Sequence, residues 1–153
     1  MSTAISDIPP PAPPAGLFRR LAAICYDCLL LLAIEMLAGA LWLPIFGDRS
    51  PATHPLYHAY QAFLLLVAFA FLAGFWLKAG QTLGMRAWRL RLVGADGGRP
   101  TLRQAAIRFG VAILSWLPAG LGFWWALFDR KRRTWHDLAS RTRIVLEPKP
   151  ARR

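Results

Sequence analysis

The sequence predicts an all-α membrane protein with two full transmembrane helices and a third helical segment that proline and glycine interrupt. Three observations lead to this fold class. Apolar residues of the AVILMFWYC set make up 56% of the 153 positions, whereas only 18% are charged. The formal net charge is nevertheless +11, and the chain contains seven Trp. Three long stretches are almost free of charge. This composition excludes a disordered chain and an ordinary nucleic-acid-binding domain, and it is typical of a membrane protein.

The three stretches with few charges are the candidate membrane segments. They cover residues 21–47, 56–77 and 105–128, and the charged residues inside them are Asp27, Glu35 and Arg108. A helix needs about 20 mostly apolar residues to cross about 30 Å of hydrocarbon, so each stretch is long enough for one crossing. Backbone polar groups in lipid must bond within their own segment, which makes a helix the expected form.

A proline-rich leader precedes the first segment. Residues 1–15 include five prolines, and because proline fixes φ and favours extended conformations, we expect a disordered tail. The membrane domain is then expected over residues 16–146, with a short basic tail at 147–153. The first apolar run is longer than the apolar core of a secretory signal and follows no basic residue before Arg19. We therefore expect this segment to be retained.

The distribution of Lys and Arg predicts which loops lie in the cytoplasm, where short loops are enriched in these residues. The stretch 78–103 carries six of them and the tail from Arg130 carries nine, whereas the loop between the first two segments carries only Arg49. If the N-terminus is cytoplasmic, the basic tail is also cytoplasmic only if the third segment enters the membrane and returns to the same side. A proline and two glycines in its middle would permit such a re-entrant hairpin. A kinked crossing with the tail outside is the alternative.

The cytoplasmic stretch before the third segment has the pattern of a short β-hairpin or an extended loop. Leucine and arginine alternate over residues 89–92, and the Asp-Gly-Gly sequence at 96–98 is typical of a turn. Either Pro100 or Thr101 is expected to start the third helical segment, since both residue types are common at helix N-termini.

Three sequence blocks in this order resemble the RDD family of small bacterial membrane proteins. The blocks are GLFRRLAAICYD at 16–27, GQTLGMR at 80–86 with RLV at 91–93, DGG at 96–98 and Arg108, and RRTWHDLA at 132–139. Arg20 and Asp27 match the first R and D of the family, and Asp137 matches the closing D. The resemblance spans about residues 16–146. It implies a multi-pass protein of the bacterial inner membrane with a suspected transport role.

The charged residues inside the predicted membrane segments form a candidate ion or proton network. Arg20 and Asp27 are seven residues apart, so they share a helix face and lie about 10 Å apart along the axis. A charge at a helix centre costs about 2.5 to 3.5 kcal/mol, so Asp27 requires partners. Either Asp27 takes up a cation or a proton, or it forms a fixed ion pair with Arg108 that sets helix packing. Glu35 is protonated and inert, reaches outward, or is a second proton site. Asp137 is expected to pair with the inner basic residues.

Other features predict contacts with lipid rather than chemistry. The basic run consists of Arg130, Lys131, Arg132 and Arg133 and is expected to bind anionic lipid headgroups, at about 1 kcal/mol per charge, rather than nucleic acid. Trp residues near the predicted segment ends are expected at the membrane interface; they are Trp42, Trp76, Trp88 and Trp135. The sequence has no nucleophile elbow, phosphate-binding loop, dinucleotide fingerprint or spaced Cys/His cluster, so we expect no enzymatic activity, cofactor or metal.

Two functional hypotheses follow. In the first, Asp27, balanced by Arg20 and Arg108, belongs to an ion or solute path. Three short segments cannot enclose a path alone, so this hypothesis requires a homo-oligomer. In the second, the protein is a non-transporting scaffold or accessory subunit whose basic inner face holds lipids or partner membrane proteins.

Overall fold

The computed structural model describes residues 15–116, Trp125, Asp129 and residues 133–147. The helices are α1 (Leu17–Ala40), α2 (Leu43–Phe46), α3 (Tyr57–Ala79), α4 (Leu83–Ala87), α5 (Leu102–Trp116) and α6 (Trp135–Ala139), and the strands are β1 (Leu90–Gly94) and β2 (Thr142–Leu146). A single 3-10 turn occupies Pro51–Thr53. The expected proline-rich leader, the interruption of the third segment and most of the basic tail lie outside the described residues.

Helices α1 and α3 are long and apolar enough to cross a membrane, as predicted. They contain 24 and 23 residues, which corresponds to about 36 and 34 Å at 1.5 Å per residue and exceeds a hydrocarbon core of about 30 Å. Only 11% of the apolar window in each helix is buried. A core helix of a soluble protein would have this surface covered, so the exposure is consistent with contact with lipid or another subunit.

The third predicted segment begins at the position that the sequence indicates. Thr101 and Gln104 form a reciprocal cap at the start of α5, because the Thr101 backbone N–H donates to Gln104 Oε1 at 2.9 Å and the Gln104 N–H donates to Thr101 Oγ1 at 3.3 Å. Helix α5 packs against α3 on one side and against α6 on another. These contacts bring the third segment beside α3 and α6.

The two strands form one antiparallel pair in which Leu90 lies opposite Leu146 and Gly94 lies opposite Thr142. The stretch predicted as a short β-hairpin or an extended loop therefore contains a strand, and the partner of that strand is the distant β2. A turn does follow β1, since the Gly97 N–H donates to the Gly94 carbonyl. After the turn, the Gly98 carbonyl accepts from the Gly94 N–H at 2.9 Å, and the chain then leads into the cap of α5. Alternation in the sequence predicts a strand but carries no information on a partner so distant in the chain.

Backbone hydrogen bonds gather the ends of several elements at one end of the molecule, which we call the sheet end. The Ala15 N–H donates to the Ile144 carbonyl of β2 at 3.3 Å, and the Leu92 N–H of β1 donates to the Gly80 carbonyl at 2.7 Å. The start of α1, the end of α3 and both strands therefore lie together. The hydrophobic core is also here, and its buried members include Trp76, Met85, Leu90, Leu92, Ala105 and Ile144.

At the opposite end, aromatic side chains join the turn after α1 to the start of α3. The ring of Tyr60 lies 5.6 Å from that of Trp42 and 5.1 Å from that of Phe46, both with edge-to-face geometry. The two long helices are therefore joined to one another at both ends. Contacts at both ends hold α1 and α3 together, and these two helices carry residues of the candidate site at the sheet end.

Candidate functional site

Three charged side chains meet at the sheet end, and we call them the Arg–Asp–Arg cluster (Arg20, Asp137 and Arg108). Arg20 Nη1 donates to Asp137 Oδ2 at 2.6 Å, and Arg108 Nη1 donates to Asp137 Oδ1 at 2.5 Å. The Asp137 side chain is fully buried and both arginine side chains are 5% exposed. Asp137 thus pairs with two basic residues, which come from α1 and α5.

The cluster joins four elements, because each member also bonds to the backbone or to a neighbouring side chain. Asp137 is the third residue of α6, where it completes a capping box with Thr134. Arg20 donates to the carbonyl oxygens of Ala15 and Ile144, and Arg108 donates to Thr142 Oγ1 at 3.0 Å. The cluster therefore connects α1, α5, α6 and β2.

The electrostatics of the cluster keep Asp137 ionised and its neighbour His136 neutral. Burial opposes ionisation of Asp137, but the charges of Arg108 and Arg20 outweigh it and hold the pKa of that carboxyl below its ordinary value. Burial, aided by the positive charge of Arg108, lowers the pKa of His136 to about 3. With two guanidinium groups, one carboxylate and a neutral imidazole, the cluster carries one excess positive charge.

Asp27 is buried and belongs to a separate set of contacts. Its Oδ2 accepts a hydrogen bond from Thr82 Oγ1, and its Oδ1 accepts one from the Gly84 N–H at 2.8 Å. The expected ion pair between Asp27 and Arg108 is therefore wrong, as is the expectation that Arg20 balances Asp27. Both guanidinium groups are drawn to Asp137 instead, and Asp27 is stabilised by donors at the N-terminus of α4.

The Gly80-Gln81-Thr82-Leu83-Gly84 block builds the surroundings of Asp27. Gly80 ends α3 with a φ of +69°, a conformation that favours glycine. Gln81 Nε2 donates to the Leu90 carbonyl and so holds β1. Thr82 caps α4 by accepting from the Met85 N–H. Gly84 lies so close to α1 that a Cβ there would overlap the Ala23 carbonyl oxygen.

The other predicted site residues lie apart from these contacts. Glu35 is half-buried on α1, and its carboxylate oxygens have no hydrogen-bond partner within the part of the chain that the structure describes. Of the predicted lipid-binding run, Arg133 is described, and its guanidinium pairs with Asp129 at 3.0 Å. The remaining members, Arg130, Lys131 and Arg132, lie outside the described residues.

A cavity of about 240 Å³ lies between the long helices and α5, beside both sets of contacts. Its polar lining residues include Arg20, Asp27, Thr82, Arg108 and His136, and its apolar lining includes Leu31, Leu72, Phe109, Ala112 and Ile113. Buried charges thus border a partly open space between helices. Such cavities within helical bundles are common sites for small ligands.

Trp76 also lines the cavity, which corrects its predicted interfacial position. Its side chain is 7% exposed, and the guanidinium carbon of Arg108 lies 5.5 Å from the centre of its ring. This geometry is that of a cation–π contact, which stabilises a desolvated arginine. Position near a segment end predicted an interfacial Trp, whereas the packing of α3 against α5 buries it.

Sequence reasoning missed the hydroxyl and amide partners of the site, namely Thr82, Gly84, Thr134 and Thr142. A signal existed for Thr134, because Thr-x-x-Asp is a capping-box pattern and Asp137 is its fourth residue. Thr82 precedes a helix and could have been identified as a cap in the same way. Their contacts with Asp27 and Arg108 depend on tertiary packing and had no local signal.

Of three comparisons with known proteins, the one with protein families found a match. Comparison with curated proteins and with solved structures found no match. The RDD family model matches residues 14–141, a range that contains both candidate membrane helices, the Arg–Asp–Arg cluster and the contacts of Asp27. The match covers most of the chain, and the protein therefore belongs to the RDD family.

Proposed function

We propose that the protein transports ions or small solutes across the bacterial inner membrane as a homo-oligomer. The observation that carries this proposal is the cavity of about 240 Å³ between helices, with Arg20, Asp27 and Arg108 in its lining. Ionisable groups within membrane segments are costly and usually mark a path for ions, protons or polar solutes. A bundle of so few segments encloses no complete path, so the proposal includes assembly of several copies.

The topology that we propose places both termini in the cytoplasm. The pairing of β1 with β2 brings the stretch after α3 and the stretch after α6 to the same end. The hydrogen bond between Ala15 and Ile144 brings the start of α1 there as well. This arrangement favours a third segment that returns to its starting side over a single kinked crossing, and the excess of Lys and Arg at that end favours the cytoplasm.

The transport proposal is tested by flux in proteoliposomes. Wild-type protein is reconstituted, and the flux of H⁺, Na⁺ and K⁺ is measured with entrapped fluorescent indicators beside protein-free vesicles. We expect a flux that Asp27→Asn reduces at least tenfold, because the neutral amide cannot supply the negative charge of the carboxylate. Asp96→Asn, in the exposed turn after β1, is the matched control and is expected to retain full flux. Equal flux from wild type and Asp27→Asn would contradict the role of Asp27.

A second candidate function is a scaffold or accessory subunit that binds membrane lipids or partner membrane proteins. It is favoured by the hydrogen bonds that the two carboxylates accept at short helices. Asp27 accepts one from the Gly84 N–H in the first turn of α4, and Asp137 accepts one from the N-cap Thr134 N–H of α6, as purely structural carboxylates do. This alternative predicts that the wild type gives no flux above that of empty vesicles. It also predicts that Asp27→Asn lowers the yield of folded oligomer.

A further inference from the structure

Arg108 carries hydrogen-bond donors that the described protein groups leave unused. Its Nη1 donates to Asp137 and to Thr142, whereas its Nε and Nη2 have no acceptor among the residues that the structure describes. The residue is only 4% exposed and lines the cavity. Because Arg108 lines the cavity, a molecule bound there is placed to supply acceptors for the Nε and Nη2 donors.

The charge around Arg108 favours an anionic acceptor. Arg20 is satisfied by Asp137 and by the carbonyl oxygens of Ala15 and Ile144. Among the described residues, Asp137 is the carboxylate that pairs with the two guanidinium groups of the cluster, so the cluster retains an excess positive charge. Asp27 lines the same cavity, but both of its oxygens accept hydrogen bonds from the start of α4 and the adjoining Thr82.

The shape and lining of the cavity limit the rest of the ligand. Leu31, Leu72, Trp76, Phe109 and Ile113 contribute apolar surface. An apolar cavity of about 150 Å³ accommodates benzene. The 240 Å³ of this cavity therefore has room for a ring or a short aliphatic chain together with one carboxylate.

We propose that the cavity binds a small monocarboxylate with a compact apolar body, whose oxygens accept hydrogen bonds from Nε and Nη2 of Arg108. The planar fork of a guanidinium matches the two oxygens of a carboxylate, and the pairing is strong where water is excluded. This inference deepens the proposed transport function, because it names the ligand class of the same cavity. It rests on that function only in treating the cavity as part of the solute path.

The first test measures binding of 4-fluorobenzoate to the full chain in lipid nanodiscs by fluorine NMR. The neutral comparator is 4-fluorobenzyl alcohol, which has nearly the same size and partitions into lipid without a charge. We expect the carboxylate to bind the protein at least tenfold more tightly than the alcohol, with empty nanodiscs as the blank. Equal affinity for the two compounds would overturn the assignment to Arg108.

Matched variants of α5 locate the binding site. Ala112 lines the cavity, so Ala112→Leu is expected to weaken 4-fluorobenzoate binding at least tenfold without removing any charge. Ala106 is exposed on the same helix, and Ala106→Leu is the control that is expected to bind as the wild type does. Arg108→Lys retains the charge but removes the fork and should also bind more weakly. Unchanged binding in Ala112→Leu would overturn the proposed location, even if Arg108→Lys fails to fold.

Competition separates a soluble carboxylate from a fatty acid of the bilayer. Hexanoate is expected to displace 4-fluorobenzoate, whereas displacement by oleate at lower concentration than by hexanoate would overturn the size limit. The flux assay and the carboxylate-binding assay have independent outcomes. Carboxylate binding without any flux contradicts the transport function alone, and inorganic-ion flux without carboxylate binding contradicts this inference alone.

Discussion

Asp137 compensates buried positive charge from two different helices. Its carboxylate is fully buried and contacts Nη1 of both Arg20 and Arg108. Ion pairs at this depth gain little over apolar packing, but loss of one partner leaves the other charge buried and unmatched. Loss of one member of the cluster is therefore expected to destabilise the other two.

Replacement of Asp137 by asparagine is expected to destabilise the protein strongly. The free energy of unfolding should fall by about 3 to 5 kcal/mol, because Arg20 and Arg108 would remain buried without a carboxylate. Denaturant unfolding of the purified protein in detergent measures the change. Glu147→Gln removes a half-exposed ion pair with Arg91 and is expected to cost less than about 1 kcal/mol. An equal loss of unfolding free energy in the two variants would contradict the role of Asp137 in compensating buried charge.

His136 makes stability depend on pH in the mildly acidic range. Its pKa falls from an ordinary value of 6.5 to about 3 on folding, so below pH 6.5 the unfolded chain binds a proton that the folded protein excludes. Stability is therefore complete above pH 6.5 and is lost as the pH falls towards 3. At pH 5 we expect the free energy of unfolding to be about 2 kcal/mol lower than at pH 7.5.

Thermal unfolding at these two pH values measures the effect of His136. A His136→Asn variant should lose most of the difference between pH 5 and pH 7.5, since its side chain does not titrate. Asp137 does not contribute in this window, because its pKa is lowered from an ordinary value of 3.8. A pH dependence that is the same in wild type and variant would show that another group is responsible.

At the scale of elements, the short helices α4 and α6 act as supports for charged side chains. Each begins with a threonine cap, Thr82 or Thr134, and each presents N–H donors to a carboxylate. Helices of five residues are unstable alone, so they form because the caps and the packing against α1 and α5 compensate for their length. The carboxylates therefore stabilise the elements, and the elements in turn hold the carboxylates in place.

Gly84 permits the close approach of α4 to α1, so Gly84→Ala is expected to separate them. A Cβ would overlap the Ala23 carbonyl oxygen and lie 2.9 Å from the Asp27 side-chain carbon. We expect a loss of about 1 to 3 kcal/mol in the free energy of unfolding, measured by denaturant titration. Gly74→Ala in α3 is the control, since a Cβ there meets nothing within 4 Å and should be neutral or stabilising. A stabilised Gly84→Ala would contradict the close contact.

For the whole molecule, both strands and the sheet-end parts of α1 and α3 form one folded unit beside an exposed pair of apolar helices. Large apolar side chains remain exposed along α1, including Leu29, Leu32, Met36 and Leu37. The polar contacts are concentrated at the sheet end, where the chain has its buried core. This division is expected of a protein whose outer surface is solvated by lipid or by further subunits.

Reporter fusions test the topology that this arrangement favours. Fusions after Arg49, after Asp96 and at the C-terminus are compared in intact cells with a reporter active only in the cytoplasm. We expect activity at Asp96 and the C-terminus and none at Arg49, because β1 pairs with β2. A C-terminal fusion on the side opposite to Asp96 would contradict this topology.

Local sequence patterns predicted the two long helices, the start of α5 and an extended stretch after α3, and they singled out Arg20, Asp27, Arg108 and Asp137 as charges of interest. These features follow from local composition, spacing and caps, together with the cost of charge in apolar surroundings. Which of these charges meet follows from the packing of segments that are distant in the sequence. Asp137 pairs with both arginines, and Asp27 accepts hydrogen bonds from residues at the start of α4. Strand β1 pairs with β2, which is distant in the sequence. Pairing between distant segments depends on how helices pack, and residue spacing along one helix does not predict that packing.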